Sequence, residues 1–291
     1  MLTGSWAIGL LLALDEGRPR RQLSPDVAAA DCGTSPNLCG ATTMFFRCVN
    51  KIEQKLQSLI RYKPAQFNLP GGIASFTFDD FPKSAINGAK ILENYKSRGT
   101  FYVAFGLGET ENHMGRMYNS DDVKSLHGAG HEIGCHTYSH LDCSQASVET
   151  LWAEVSKNDV AHRAVIGDAK MTNFAFPFGA SSFASRRALR DRFVCCRSVR
   201  AGINSGAGDL TYLRSVRLYH RLFDDQQMRR LIDRSKSLGA WIIFYTHDVS
   251  TNPSAFGCKP EELEAIVAYA SATMPVVTVR EAAAHFDVRA C

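Results

Sequence analysis

From Ile73 onward, short apolar runs alternate along the chain with longer amphipathic stretches. Ile73-Ala-Ser-Phe-Thr-Phe78 reads as a buried strand and is followed by helical periodicity over Ser84 to Arg98. A strand over Thr100 to Phe105, a short helix near Asp121 to His127 and a strand over His131 to Cys135 come next. A long helix from Ser147 to Val165 leads to a strand over Asn173 to Phe178. Strands near Phe193 to Ser198 and Ser215 to Leu218 precede a helix over Asp224 to Leu238. The strand Trp241 to Tyr245, the helix Glu261 to Ala272 and a strand over Val276 to Val279 close the series. Strands separated by helices imply βα units and a parallel sheet. With about seven or eight strands, an α/β barrel, not necessarily complete, is favoured over an open sheet.

Residues 1–68 read differently, as a leader and an irregular or helical extension ahead of a main domain spanning 69–291. The apolar run Trp6 to Leu14 lacks a positive charge before it and is too short to span a bilayer. It reads as a leader fragment or an upstream-extended start as readily as a working signal. A Cys/Gly/Ser-rich stretch and an amphipathic run from Met44 to Tyr62 follow, and Pro64, Pro70, Gly71 and Gly72 mark the end. No other segment suits a membrane span. The nine cysteines form no paired C-x-x-C signature and read mostly as reduced thiols. That leans toward the cytoplasm, or toward secretion should the apolar run act as a leader. The net charge of +4, without a dense basic face, gives nucleic-acid binding no support.

The chemistry concentrates at three strand ends. Asp79 and Asp80 directly follow the first strand, His136 and His140 the third, and His247-Asp248 follows Trp241 to Tyr245. In a barrel these ends converge on one face. On a helical turn, histidines four apart could share one metal ion, although this spacing alone is more often structural. An Asp in this place is usually a helix cap, and Pro82 would suit the first turn. Two successive carboxylates, however, repel unless a cation or proton offsets them. Two imidazoles and one carboxylate form a catalytic ligand set, which leaves the second Asp as a general base. His247 reads equally as a residue in a turn or as a general acid. Other signatures fail: Cys135 breaks H-E-x-x-H, no G-x-S-x-G elbow exists, and Gly106-Leu-Gly108 is not completed to a dinucleotide loop.

Thr77-Phe78-Asp79-Asp80, His136-Thr-Tyr-Ser-His140, Phe176-Pro177-Phe178-Gly179 and Thr246-His247-Asp248, in that order, resemble the polysaccharide deacetylases of carbohydrate esterase family 4, which share the NodB homology domain. The resemblance covers about residues 70–285 and implies a distorted (β/α)7 barrel. It further implies Asp79 as the general base, and Asp80, His136 and His140 as ligands of a divalent metal, with Zn2+ foremost and Co2+ or Ni2+ as alternatives. The backbone N–H of Phe178, beside Pro177, would be the oxyanion donor, and His247 the acid that protonates the departing amine. The implied substrate is an acetylated carbohydrate, foremost an N-acetylglucosamine-containing oligomer or polymer. An O-acetyl ester, another N-acyl compound, or a catalytically weak carbohydrate-binding homologue are the other readings. Three departures bear on substrate choice or tuning. Ala175 stands where the family's third motif carries Arg, the fourth motif is not recognisable, and Tyr245 replaces a Leu that lines the acetyl pocket. Either another residue substitutes for that Arg, for which Arg197 could supply the guanidinium, or the base is tuned differently.

Overall fold

A computed structural model describes residues 56, 57 and 59–286. The expected leader, most of the Met44 to Tyr62 run and Cys32, Cys39, Cys48 and Cys291 lie outside the described residues. The strands are β1 (Pro64–Phe67), β2 (Ile73–Asp79), β3 (Thr100–Val103), β4 (Glu111–Asn112), β5 (Gly115–Arg116), β6 (Glu132–Cys135), β7 (Asn173–Ala175), β8 (Cys195–Ala201), β9 (Gly206–Asp209), β10 (Leu213–Arg217) and β11 (Trp241–Thr246). The helices are α1 (Ile86–Asn94), α2 (Ser120–Gly128), α3 (Val148–Ile166), α4 (Phe183–Leu189), α5 (Asp225–Leu238), α6 (Pro260–Thr273) and α7 (Val279–Ala283). Seven parallel strands close a barrel in the order β10-β11-β2-β3-β6-β7-β8, which is the expected (β/α)7 architecture.

Period-two alternation divides the barrel's residues between two environments. On β2, Ala74, Phe76 and Phe78 join the large cluster between strands and helices, where the Phe78 and Phe101 rings stack at 4.6 Å. The intervening positions include Ile73, which joins Trp241, Ile243, Leu213 and Cys195 in a second cluster with Phe67, Val279 and Phe286. Above it on β2 come Ser75, which accepts from Trp241 Nε1 at 3.0 Å, then Thr77 and Asp79, all buried. Asp79 thus ends its strand on the same side as the polar residues below it.

Two expectations are corrected. Val276 forms only an isolated bridge to Ala74, and Val279 opens α7 instead of ending a strand. There the Thr278 side chain accepts from Glu281 N and Glu281 reciprocates, a capping box that outweighs the β-branched run. The expected strand over Asn173 to Phe178 stops at Ala175, because Pro177 begins a 3-10 turn that reaches Gly179. Residues on the far side of the expected boundary at 68 pack with the barrel body. β1 pairs antiparallel with β9, Phe67 is in the core, and Gln57 bonds Ser181. Among the described residues no helix is long and apolar enough to cross a membrane. The described cysteines, Cys135, Cys143, Cys195, Cys196 and Cys258, are free and buried.

Candidate active site

The register of the barrel brings the sequence-predicted residues together. Asp79 faces Tyr102 across β2–β3, Tyr102 faces Gly134 across β3–β6, and Ala175 faces Arg197 across β7–β8. The strand ends deliver Asp80, His136 and His140 to one point, where one ligand atom from each lies within 4.8 Å of the others. His136 Nε2 is 3.4 Å and His140 Nε2 is 3.1 Å from Asp80 Oδ1.

The histidines do not sit on a helical turn as expected. Thr137 and His140 adopt left-handed φ values of 59° and 60°, which excludes a helix. A tight loop carries the pair, and its amides are held by side chains. Glu154 Oε2 of α3 accepts from Tyr138 N at 3.1 Å and Ser139 N at 2.7 Å, while Thr137 Oγ1 accepts from Leu141 N at 2.8 Å. Glu154 has no local sequence signal, because it reaches the loop only through the packing of α3. Asp80 and Phe81 are left-handed too, at 61° and 60°, as is Phe178 at 57°. Such conformations in non-glycine residues cost of order 1 kcal/mol each and gather where a site requires them.

The histidine chemistry at this point is fixed by one hydrogen bond. His136 Nδ1 lies 2.8 Å from Ala175 O. A carbonyl only accepts, so Nδ1 carries the proton, and in the neutral ring Nε2 presents a lone pair toward the Asp80 carboxylate. Two lone pairs facing each other in a buried place repel unless a cation lies between them. Asp80 Oδ1 is buried without a hydrogen-bond partner. Burial would raise the Asp80 carboxyl, but His140 and then His136 and His247 outweigh it and hold it well below the usual carboxylate range. Burial pushes His140 down to about 4, against the pull of Asp80, so its imidazole is neutral at pH 7. Two neutral imidazoles and an ionised carboxylate are the donor set a divalent transition metal takes, and an Nδ1–H to carbonyl bond is the usual outer support of such a ligand.

Asp79 is distinct from this set. Its Oδ2 accepts from Arg197 Nη2 at 2.5 Å, while its Oδ1 is buried with no partner. Arg197 is fully buried, with its guanidinium 4.9 Å from the Tyr245 ring and 5.2 Å from the Tyr102 ring. Since Arg197 is the register partner of Ala175, the neighbouring strand delivers a guanidinium at the level where position 175 lacks one. Tyr245 is buried and its hydroxyl accepts from Arg217 Nε at 3.0 Å. Pro177 is buried, and the exposed Phe178 ring meets the His140 ring edge-on at 4.2 Å. His247 Nδ1 lies 3.3 Å from Phe256 O, and Tyr219 and Phe256 flank its ring. Asp248, the other residue of that motif, is spent on its own loop, where it accepts from Ser254 N and Oγ.

With this geometry in place, comparison with known proteins gives the chain's relationship. A seven-stranded parallel barrel with a two-histidine, two-aspartate cluster at its strand ends defines the class. Residues 66–192 match the family described as polysaccharide deacetylase. It is 31% identical over 113 residues to a chitin deacetylase of Arthroderma benhamiae, covering 38% of this chain. The chain spans 29% of that relative's length. Among solved structures, an acetyl xylan esterase of family 4 from Clostridium thermocellum, in complex with a cobalt ion, is similar at 16% identity with a TM-score of 0.51. That match covers 72% of this chain and 89% of that one. A family 4 pseudoenzyme from Bacillus anthracis is similar at 14% identity with a TM-score of 0.51, covering 75% of this chain and 66% of that one. At these identities the structural likenesses establish the fold.

Proposed function

We propose that the protein is a metal-dependent hydrolase that removes N-acetyl groups from an oligo- or polysaccharide containing N-acetylglucosamine. The observation that carries this reading is the division of labour between adjacent carboxylates. Asp80 faces two imidazole nitrogens, while Asp79 is held by Arg197 with one oxygen left bare. A binding-only homologue has no use for the second arrangement.

Asp80, His136 and His140 would hold the cation, Zn2+ foremost, with Co2+ or Ni2+ able to take the same donors. Such a cation supplies Lewis acidity toward the acetyl carbonyl and toward water. Asp79 Oδ1 accepts the proton of the attacking water, and Arg197 fixes the carboxylate by its other oxygen. The backbone N–H of Phe178 would donate to the oxyanion that develops on the carbonyl oxygen. His247 gives its Nε2 proton to the departing amine nitrogen, while Nδ1–H stays on the Phe256 carbonyl. Water and the amide are thereby converted to acetate and a free amino sugar. The exposed Phe178 ring beside His140 offers an apolar platform for a sugar face. A cleft lined by Met114, Arg116, Asp248, Ser250, Asn252 and Ser254 would seat neighbouring sugar units. Tyr245 would line the pocket that takes the acetyl group.

The reading is tested by acetate release from chitooligosaccharides and from acetylated xylan, with wild type and Asp79→Asn. Release from the chitooligosaccharide, lost in Asp79→Asn while the protein keeps its metal, is the expected result. Release from xylan alone would move the chemistry to ester hydrolysis, and no release from either would remove the enzymatic reading.

A further inference from the structure

Every barrel crossover in the described residues contains an α-helix except the one from β8 to β10, which is made of β9 and a 3-10 turn. The space left there is a cleft of about 490 Å³ on the flank of the barrel, with arginines 61, 186, 200, 214 and 234 in its lining. Among the described residues its only carboxylate is Asp209, and that group is already committed. Asp209 accepts from Arg186 Nη2 at 2.7 Å, from Tyr62 N and Lys63 N at 3.0 Å each, and from Thr211. Arg61, Arg200, Arg214 and Arg234 have no carboxylate oxygen within 4.0 Å among the described residues. Four guanidinium groups around one cleft repel unless an anion joins them.

The cleft is also organised. Asn204 holds the backbone of Arg214 on both sides, Oδ1 accepting from Arg214 N at 2.9 Å and Nδ2 donating to Arg214 O at 3.1 Å. Arg214 Nη1 donates to Ala201 O at 3.0 Å, and Gly202 leaves the room its guanidinium occupies. Arg186 is fully buried in the inner wall, and its Nε has no acceptor. Burial, then Arg214, press the Arg200 guanidinium below its ordinary pKa, which marks a cation short of partners. We infer that this cleft binds a doubly charged oxyanion of the phosphate class, either free or carried as a monoester on a larger molecule, with Arg200 and Arg214 as its principal donors. Guanidinium forks match the planar oxygen pairs of such a group.

Calorimetric titration of the full chain with inorganic phosphate and with glucose 6-phosphate, against chloride of equal ionic strength, reads the site directly. Saturable binding is expected, weakened about tenfold or more in Arg200→Gln/Arg214→Gln, as charge-assisted bonds of this kind imply. The exposed pair Arg61→Gln/Arg234→Gln, which carries less risk to folding, is expected to weaken it several-fold, and both variants keep acetate release. Tighter binding of the sugar phosphate identifies an esterified group, and equal binding a free oxyanion. Three results overturn the inference: no saturable binding, binding that survives both arginine pairs, or binding that Asp80→Asn abolishes and the arginine changes leave. The last would place the anion at the metal site.

Discussion

At the scale of single residues, Arg197 and Asp79 form one buried ion pair. Removing one partner of a buried pair strands the other charge, at a cost of about 3–5 kcal/mol. Arg197→Ala is therefore expected to lower the denaturation midpoint and to cut kcat by about a hundredfold while metal content is unchanged; Arg197→Lys should recover only part, because one ammonium does not replace the fork. Unchanged turnover in Arg197→Ala would separate the guanidinium from the reaction. Phe178→Ala makes a different expectation. Loss of the exposed ring should raise KM for the oligosaccharide several-fold with little change in kcat, since the donor proposed at this position is a backbone N–H. Steady-state kinetics with a soluble chitooligosaccharide would distinguish the two cases.

At the scale of elements, the turn Pro177–Gly179 and the approach to β6 carry the clearest consequences. Gly179 has φ 65°, and a Cβ there would overlap Val199 on β8. Gly179→Ala is expected to cost about 2 kcal/mol or more and to depress turnover by shifting Phe178, which denaturation and acetate release would measure together. His131, ahead of β6, accepts from Gly99 N at 3.0 Å through Nδ1 and reaches Glu93 through Nε2. Burial lowers its pKa below the ordinary 6.5, against the pull of Glu93. The unfolded chain consequently binds a proton that the folded chain refuses just below pH 6.5, and stability falls as pH drops through that range. Urea midpoints between pH 7 and pH 5 should decline less steeply in His131→Asn than in wild type. The elements themselves were unequally legible. Ile73, Thr100 and Trp241 open strands where the apolar runs begin, because a strand buried on both faces leaves a continuous signature. The β1–β9 ribbon, rich in Gly and Ala on one side, and α4, with Arg186 and Arg187 in its seven residues, have no such run. Their formation depends on partners more than a hundred residues away, such as Gln57 for Arg186 and Ser181.

At the scale of the whole molecule, the barrel turns four separated motifs into one site. The candidate metal ligands were legible because Asp-Asp and His-x-x-x-His follow strong strands, and a parallel barrel must bring such ends together. The delivery of Arg197 opposite Ala175 depends on strand register, which sequence spacing does not specify. The loop that holds His136 and His140 depends on Glu154 and left-handed dihedrals, and periodicity shows neither. Joining β2 and β6 through one cation also predicts a linked stability. Metal at about a hundredfold excess over its dissociation constant should stabilise the fold by about 2.7 kcal/mol, seen as a rise in melting temperature that Asp80→Asn or His140→Ala loses. The most direct measurement of the central claim is acetate release by protein stripped with a chelator, dialysed, and then given one equivalent of Zn2+. Stripped protein is expected to be inactive on chitooligosaccharides and to recover with the added ion. Turnover that persists undiminished in protein verified to be metal-free would contradict that claim.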